Sequence, residues 1–335
     1  MRSGTTTRGI GRTLLIVLTA FALLLIVAAL LYAEAFGPMK REVEPNRQFV
    51  VTPDETLGEI ADSLTENGYV RGAWIFELAY LRASDGHAIR PGGYEISPSM
   101  DAWTIASQLV QAPYFAWVKV PVGVRKEQIG DQLADALGWN AEERAAWDAA
   151  TGSSSPNYIE GVYFPDTYLI PTDEPPALIA ERMRNRFKEA FAPYADEAVK
   201  KKVAWPQVLT IASLIQREAG SVEDMAIISG IIQKHLAVGM PLALDASLQY
   251  MTGNADTGWW PSPKPAGTYP DSPFNTYKQK GLPPHPIAEP GLAAIEAALN
   301  PVATNCLFYI HDNRGVMHCS PTYAGQIANI NRYLK

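Results

Sequence analysis

The hydrophobic pattern opens on an unbroken apolar run, Leu14 to Tyr32 (LLIVLTAFALLLIVAALLY), with Thr19 its only small polar residue. As a helix, at about 1.5 Å per residue, it is just long enough to cross a bilayer core. Arg2, Arg8 and Arg12 precede it without an acid, and Glu34, Lys40, Arg41, Glu42 and Glu44 follow in mixed sign. That asymmetry predicts a segment whose N-terminus stays in the cytoplasm while the rest of the chain is exported. Ala33-Glu34-Ala35 resembles a signal-peptidase site, but the run is too long for a usual signal peptide, so an uncleaved anchor is expected.

After a polar connector (Gly37 to Arg47, with Pro38 and Pro45) the pattern shortens into β-α units. Phe49-Val50-Val51 reads as a strand, Asp54 as a helix cap, and Leu57, Ile60, Ala61 and Leu64 as one helical face ended by Asn67-Gly68. Trp74 to Leu81 predicts a second helix and Gly93-Tyr94-Glu95-Ile96 a strand after a turn. Ser97-Pro98 and Ser99 open a third helix with Trp103, Ile105, Ala106 and Leu109 inward. Val118 to Leu133 weakly repeats Phe49 to Leu64, with Val120, Ile129 and Leu133 in place of Val51, Ile60 and Leu64. Two such copies are too few for a solenoid.

Gly152 to Asn157 (GSSSPN) reads as a linker. Beyond it come the turn-rich, aromatic Glu160 to Tyr168 and an amphipathic helix from about Pro176 to Ala190. In Trp205 to Gly220 (WPQVLTIASLIQREAG), Pro206 suits a first turn, Val208, Ile211, Ala212 and Ile215 share a face, and Gly220 is a natural C-cap. Ser221 caps a following helix with acidic Glu223 and Asp224 in its first turn, stopped by Gly239. Leu244 to Pro290 is rich in Gly and Pro and reads as a functional loop or cleft wall. LFYI and VMH flank Asp312-Asn313-Arg314-Gly315 as a β-hairpin.

Composition narrows the classes. The 335 residues suffice for two or three domains, and a net charge of −7 argues against a nucleic-acid partner. The two cysteines, Cys306 and Cys319, fall opposite each other if Ile310 faces Gly315, leaving a disulfide or a free pair open. Strand alternation puts His318 and Cys319 on opposite faces, so no metal site is expected. There is no GxSxG, HExxH or Walker sequence to support esterase, metalloprotease or NTPase chemistry.

The candidate chemistry is Glu218. It lies three residues after Ile215 and four after Leu214, so the helix turns it towards the apolar face. Desolvation and the negative end of the helix dipole both favour its protonated form, which a general acid requires. The plain alternative is a glutamate that swings to solvent or pairs with Arg217.

Glu160-Gly161 with Phe164-Pro165-Asp166-Thr167-Tyr168, the Glu218 helix, Asp245, Ser272-Pro273-Phe274-Asn275-Thr276-Tyr277 and Gly281-Leu282-Pro283-Pro284 together resemble the endolytic murein transglycosylases, the MltG/YceG family. The resemblance covers the anchor, the first β-α module and the whole C-terminal region. It implies a single-pass enzyme of the cytoplasmic (inner) membrane that cuts nascent peptidoglycan strands internally at the MurNAc-to-GlcNAc β-1,4 bond, leaving 1,6-anhydro-MurNAc ends. Glu218 takes the position of the family's catalytic acid and no cofactor is needed. A peptidoglycan synthase is a plausible partner beside the glycan strand and the membrane. Asn275 and Thr276 would hold N-acetyl or hydroxyl groups, and Tyr163, Tyr277 or Trp259 would stack on sugars. Asp166 and Asp245 complete the candidate substrate-binding set. Structural roles stand beside these: turn-holding for Asn275 and Asp166, capping or pairing for Asp245, and core packing for the aromatics.

The first module resembles the LysM fold, which grips N-acetylglucosamine chains, and a spacer without sugar affinity is the alternative. The expected fold is therefore α+β: a cytoplasmic tail (1–13), a transmembrane helix (14–32), a linker (33–47), a LysM-like module (48–117) and a mixed α+β catalytic domain (118–335). That last domain includes a second β-α unit (118–150) and ends in a β-hairpin. The chain departs from the family pattern at His285, where Gly is usual, and at Lys234-His235-Leu236 in place of Asn-Arg-Leu. It also has Asp245-Ala246-Ser247 in place of Asp-Pro-Thr, and Trp259 to Gly267 looks like added loop. Two competing functions are a non-catalytic glycan-binding envelope protein and a hydrolytic muramidase using Asp166 or Asp245 as second carboxylate.

Overall fold

A computed structural model describes residues 6–152 and 160–334; all but the first residue of the 152–157 linker lies outside them. The chain divides into two compact units, residues 1–117 and 118–335.

In the first unit, α1 (Thr6–Phe36) contains Leu14–Phe36, 23 residues of mean hydropathy 3.2, exposed from Leu14 to Glu34 and long and apolar enough to cross a membrane. It continues one turn past the apolar run, and Phe36 enters the unit's core. There follow β1 (Arg47–Val51), α2 (Leu57–Glu66), α3 (Ala73–Ala83), β2 (Gly92–Ile96) and α4 (Ala102–Leu109). β1 and β2 pair antiparallel, Arg47 opposite Ile96 and Val51 opposite Gly92, so Phe49, Val51, Tyr94 and Ile96 share the core with Ile60, Leu64, Phe76, Ile105 and Leu109. The α2 cap is Thr56 rather than Asp54: its side chain accepts from the Glu59 N–H while Glu59 reaches back to the Thr56 N–H. Likewise α4 begins after Asp101, whose carboxylate accepts from the Thr104 N–H, not at Ser97 to Ser99.

β3 (Phe115–Lys119) leads into the second unit, where α5 (Lys126–Leu137) buries Ile129 and Leu133 and packs against α6 (Ala141–Thr151). β4 (Thr167–Pro171) precedes α7 (Pro176–Lys200), which runs ten residues past the expected end at Ala190 and through Pro193. Its continuing inward stripe, Phe187, Phe191 and Ala198, outweighs the lost backbone bond.

The centre of this unit is α8 (Trp205–Glu218). Every residue from Val208 to Ile215 is buried, not one face alone, because α7, α9 (Val222–Val238) and α11 (Leu292–Leu299) all pack on it. Its two buried hydroxyls are satisfied: Thr210 donates to the Pro206 carbonyl, and Ser213 donates to the Thr210 carbonyl and accepts from the Ile287 N–H. The irregular 244–290 stretch contains α10 (Asp245–Thr252). β5 (Phe308–His311) and β6 (Met317–Ser320) form the C-terminal hairpin, backed by α12 (Tyr323–Tyr333). The hairpin register sets Ile310 opposite His318 and Cys319 opposite Tyr309, not Ile310 opposite Gly315. Cys306 and Cys319 are nevertheless joined in a disulfide, Cα to Cα 5.7 Å, because Cys306 lies before β5 begins.

Candidate active site

Glu218 is the last residue of α8. The helix ends because Ala219 turns extended (φ −73°, ψ 132°), so Gly220 is not a left-handed cap. Gly220 instead permits a close approach: a Cβ there would lie 2.8 Å from His311 Cδ2, and its N–H donates to His311 Nε2 at 3.3 Å. The hairpin is thereby seated against the end of α8.

That seating supplies the acid's main partner. Tyr309 donates its hydroxyl to Glu218 Oε2 at 3.0 Å, and the Ala246 N–H of α10 donates to Oε1 at 3.3 Å. Burial pushes the Glu218 carboxyl above its ordinary value. The Tyr309 and Ala246 bonds pull partly the other way, the charge of Asp245 adds to the rise and His311 opposes it. Arg217 does not pair with it: its guanidinium lies 3.8 Å from the Trp260 ring centroid and donates to the Gly123 carbonyl.

Glu218 lines a cavity of 390 Å³ together with Asp245, Tyr277, Tyr309, His235 and Gln326. Tyr277 donates its hydroxyl to Asp245 Oδ1 at 2.7 Å and is 36% exposed, open to a ligand. His235, inside Lys234-His235-Leu236, sets its ring nitrogens 2.8 Å from the Pro241 and Leu307 carbonyls and so ties α9 to the approach of the hairpin.

Of the residues singled out from sequence, Glu218, Asp245 and Tyr277 meet at this cavity. Asn275 and Thr276 support its wall from behind, 0% and 1% exposed. Asn275 donates to the Pro270 carbonyl and accepts from the Tyr277 N–H. Thr276 Oγ1 accepts from the Leu244 N–H at 3.0 Å, fixing the entry to α10. As placed, both side chains are buried and bonded to backbone groups behind the wall. Tyr163 is fully buried, its ring 5.6 Å from that of Trp147, which removes it as a stacking platform. Asp166 lines a separate groove of 560 Å³ and is ion-paired to Arg186 at 2.7 Å. Trp259 donates to Asp131 and lies over Arg125, against α5 rather than at Glu218. His285 sits in an aromatic cluster with Tyr250 and Phe274.

Tyr309 and Ala246 were not foreseen. Tyr309 and His311 alternate onto one side of β5, the only sequence signal for them, and nothing local says that this side meets α8.

The arrangement defines a class: an α+β protein with a sheltered glutamate carboxyl at a helix end, its pKa raised by burial, lining an open cavity that Asp245 also lines. Residues 49–332 match the YceG-like family, and the chain belongs to it. It is 26% identical over 321 residues to a Bacillus subtilis protein named endolytic murein transglycosylase, covering 87% of this chain and 86% of that one. A Streptococcus pneumoniae protein of the same name is 25% identical over 287 residues; the match covers 76% of this chain and about half (52%) of that longer one. The crystal structure of a YceG-like protein from Listeria monocytogenes aligns with a TM-score of 0.54 at 25% identity, over 85% of this chain and 99% of that one.

Proposed function

We propose that this chain is a membrane-anchored endolytic murein transglycosylase. It cleaves the MurNAc-GlcNAc β-1,4 bond of nascent peptidoglycan strands and leaves 1,6-anhydro-MurNAc ends, with Glu218 as single general acid and base. The observation that carries the reading is the Glu218 carboxyl itself, pushed towards its protonated form yet lining an open cavity. Most glycosidases need a second carboxylate, as nucleophile or as base for water. In a lytic cut the sugar's own 6-hydroxyl attacks the anomeric carbon, and its tether to the reacting ring replaces a positioned water. Glu218 gives its proton to the leaving glycosidic oxygen, then takes the proton of the 6-hydroxyl as the anhydro bond closes. The Tyr309 and Ala246 donors stabilise the carboxylate between these steps. The names of the Bacillus and pneumococcal relatives support the substrate.

In this reading α1 anchors the chain with its N-terminus cytoplasmic and residues 118–335 act outside the membrane, beside a glycan polymerase. The antiparallel β1 and β2 with α2 and α3 between them support a LysM-like reading of residues 48–117 as a glycan-binding module.

A second reading keeps one specific support. Asp245 lines the same cavity and could serve as the second carboxylate of a hydrolytic muramidase; Asp166, in another groove and ion-paired, does not share that support. Mass spectrometry of products from purified glycan strands separates the readings. Anhydro ends are expected. Products heavier by one water would make the enzyme a hydrolase, and intact strands would make it a binding protein.

A further inference from the structure

The first unit carries an apolar face that its own core does not use. On α3, Ile75, Phe76 and Ala79 are 0–3% exposed, while Trp74, Leu78 and Leu81 on the outer side are 60%, 48% and 69% exposed. Their spacing of four and then three residues places them on one stripe, which continues to exposed Arg82. A surface helix of a water-soluble domain normally turns polar residues outward, and α3 turns out Trp74, Leu78, Leu81 and Arg82, with Glu77 half-buried at the edge of the stripe.

The place of the stripe says what covers it. Arg71, just before α3, donates to Glu34 Oε1 at 3.0 Å and to the Gly37 and Pro38 carbonyls at 2.7 and 3.2 Å. Phe36 stacks on Tyr32 and Trp103, centroids 4.7 and 5.1 Å apart, and meets the Trp74 ring edge-on at 6.2 Å. The last turn of α1 is therefore clamped to the start of α3, and Trp74 lies beside the end of the apolar run. Tryptophan favours that level of a bilayer, and an arginine beside it can reach lipid phosphates.

We propose that the outer face of α3 is a lipid-docking surface: Trp74, Leu78 and Leu81 enter the interfacial layer of the bilayer that α1 spans, with Arg82 at the headgroups. The proposal rests on α1 being a membrane anchor. It makes the first unit a foot seated on the membrane rather than a body swinging on a tether.

The test uses the full chain in vesicles of phosphatidylcholine and phosphatidylglycerol, with an environment-sensitive fluorophore on a cysteine placed by Leu81→Cys; the natural cysteines are paired. Leu23→Cys reports the anchor, and Asp62→Cys, on the exposed side of α2, reports water. The label at position 81 is expected to be quenched by chain-nitroxide lipid and to lose quenching by aqueous iodide, as at position 23 and opposite to position 62. Adding Leu78→Glu is expected to return position 81 to iodide while position 23 stays shielded. If position 81 behaves like position 62 while position 23 remains in lipid, docking is overturned and the anchor stands. Shielding from iodide without nitroxide quenching means that protein or glycan covers the face, which also overturns the proposal, as does indifference to Leu78→Glu. A water-exposed position 23 removes the anchor and the docking together.

Discussion

The second unit holds carboxyls in two settings, and burial pushes both above the ordinary glutamate range. Glu160 and Glu289 are 0% exposed and share a hydrogen bond, one carboxyl keeping its proton because two charges cannot both be desolvated there. Their remaining oxygens are occupied: Glu289 accepts from the Gly161 and Tyr163 N–H groups, Glu160 from the Lys126 N–H and, at 3.3 Å, the Tyr250 hydroxyl. Glu218 has two donors and a cavity in front of it. A raised carboxyl therefore does not mark a catalyst; a raised carboxyl with room for a reacting atom does. The sealed pair joins the start of α5, the 160–163 turn and the 289 segment, and its work is structural.

The largest expected effect breaks the open site alone. Glu218→Gln should lower kcat on glycan strands by on the order of 10²–10⁴-fold, the usual span for losing a general acid, with the unfolding midpoint unchanged. Equal turnover would transfer the chemistry elsewhere. Glu289→Ala should do the reverse: it strands the Gly161 and Tyr163 N–H donors in the core, lowering unfolding free energy by about 3 kcal/mol in denaturant titrations. Turnover of the folded fraction should hold. The pair also sets a pH dependence. Its folded pKa values are raised, so its stabilisation is fully present below the ordinary glutamate value of 4.5 and is lost as pH rises through the raised ones. Unfolding free energy should fall across that window, and Glu160→Gln, whose amide can donate as the protonated acid does, should flatten the fall.

Tyr309→Phe sharpens the contrast from the open side. The Tyr309 hydroxyl bond favours the charged form of Glu218, so removing it raises the carboxyl further. The alkaline limb of kcat/KM should then move to higher pH, because the carboxyl loses a hydrogen bond that favours its charged form. A limb that does not move would make Tyr309 a packing residue. The smallest change is expected at Asp166→Asn: activity within about twofold and stability within about 1 kcal/mol, as for a partly exposed ion pair. A large loss of activity there would bring Asp166 back as the second carboxylate of a hydrolase.

Helix and strand positions were legible where the local pattern decides them: the apolar run inside α1, the buried Ile60, Ala61 and Leu64 of α2, the alternation of the hairpin. Boundaries failed where several local options compete. Thr56 displaced Asp54 as a cap because its side chain completes a reciprocal pair with Glu59, and α7 passed Pro193 because packing of its inward stripe outweighs one missing bond. The surroundings of the site residues were less legible for a different reason. Asn275, Thr276 and Tyr163 carry the right chemistry, but whether such a group meets a ligand or the interior depends on which elements cover it.

The sequence alone thus determined the anchor-like helix, the α+β succession and the placement of an acid at the end of an apolar helix, because each depends on residues within a turn or two of one another. Only the tertiary structure decided that Glu218 faces a cavity while Glu160 and Glu289 are sealed. It also decided that Tyr309, 91 residues away, is the donor on the acid, and that Asn275 and Thr276 brace the wall from behind. Burial and hydrogen-bond partnership are properties of the elements that enclose a side chain, and those arrive from distant parts of the chain.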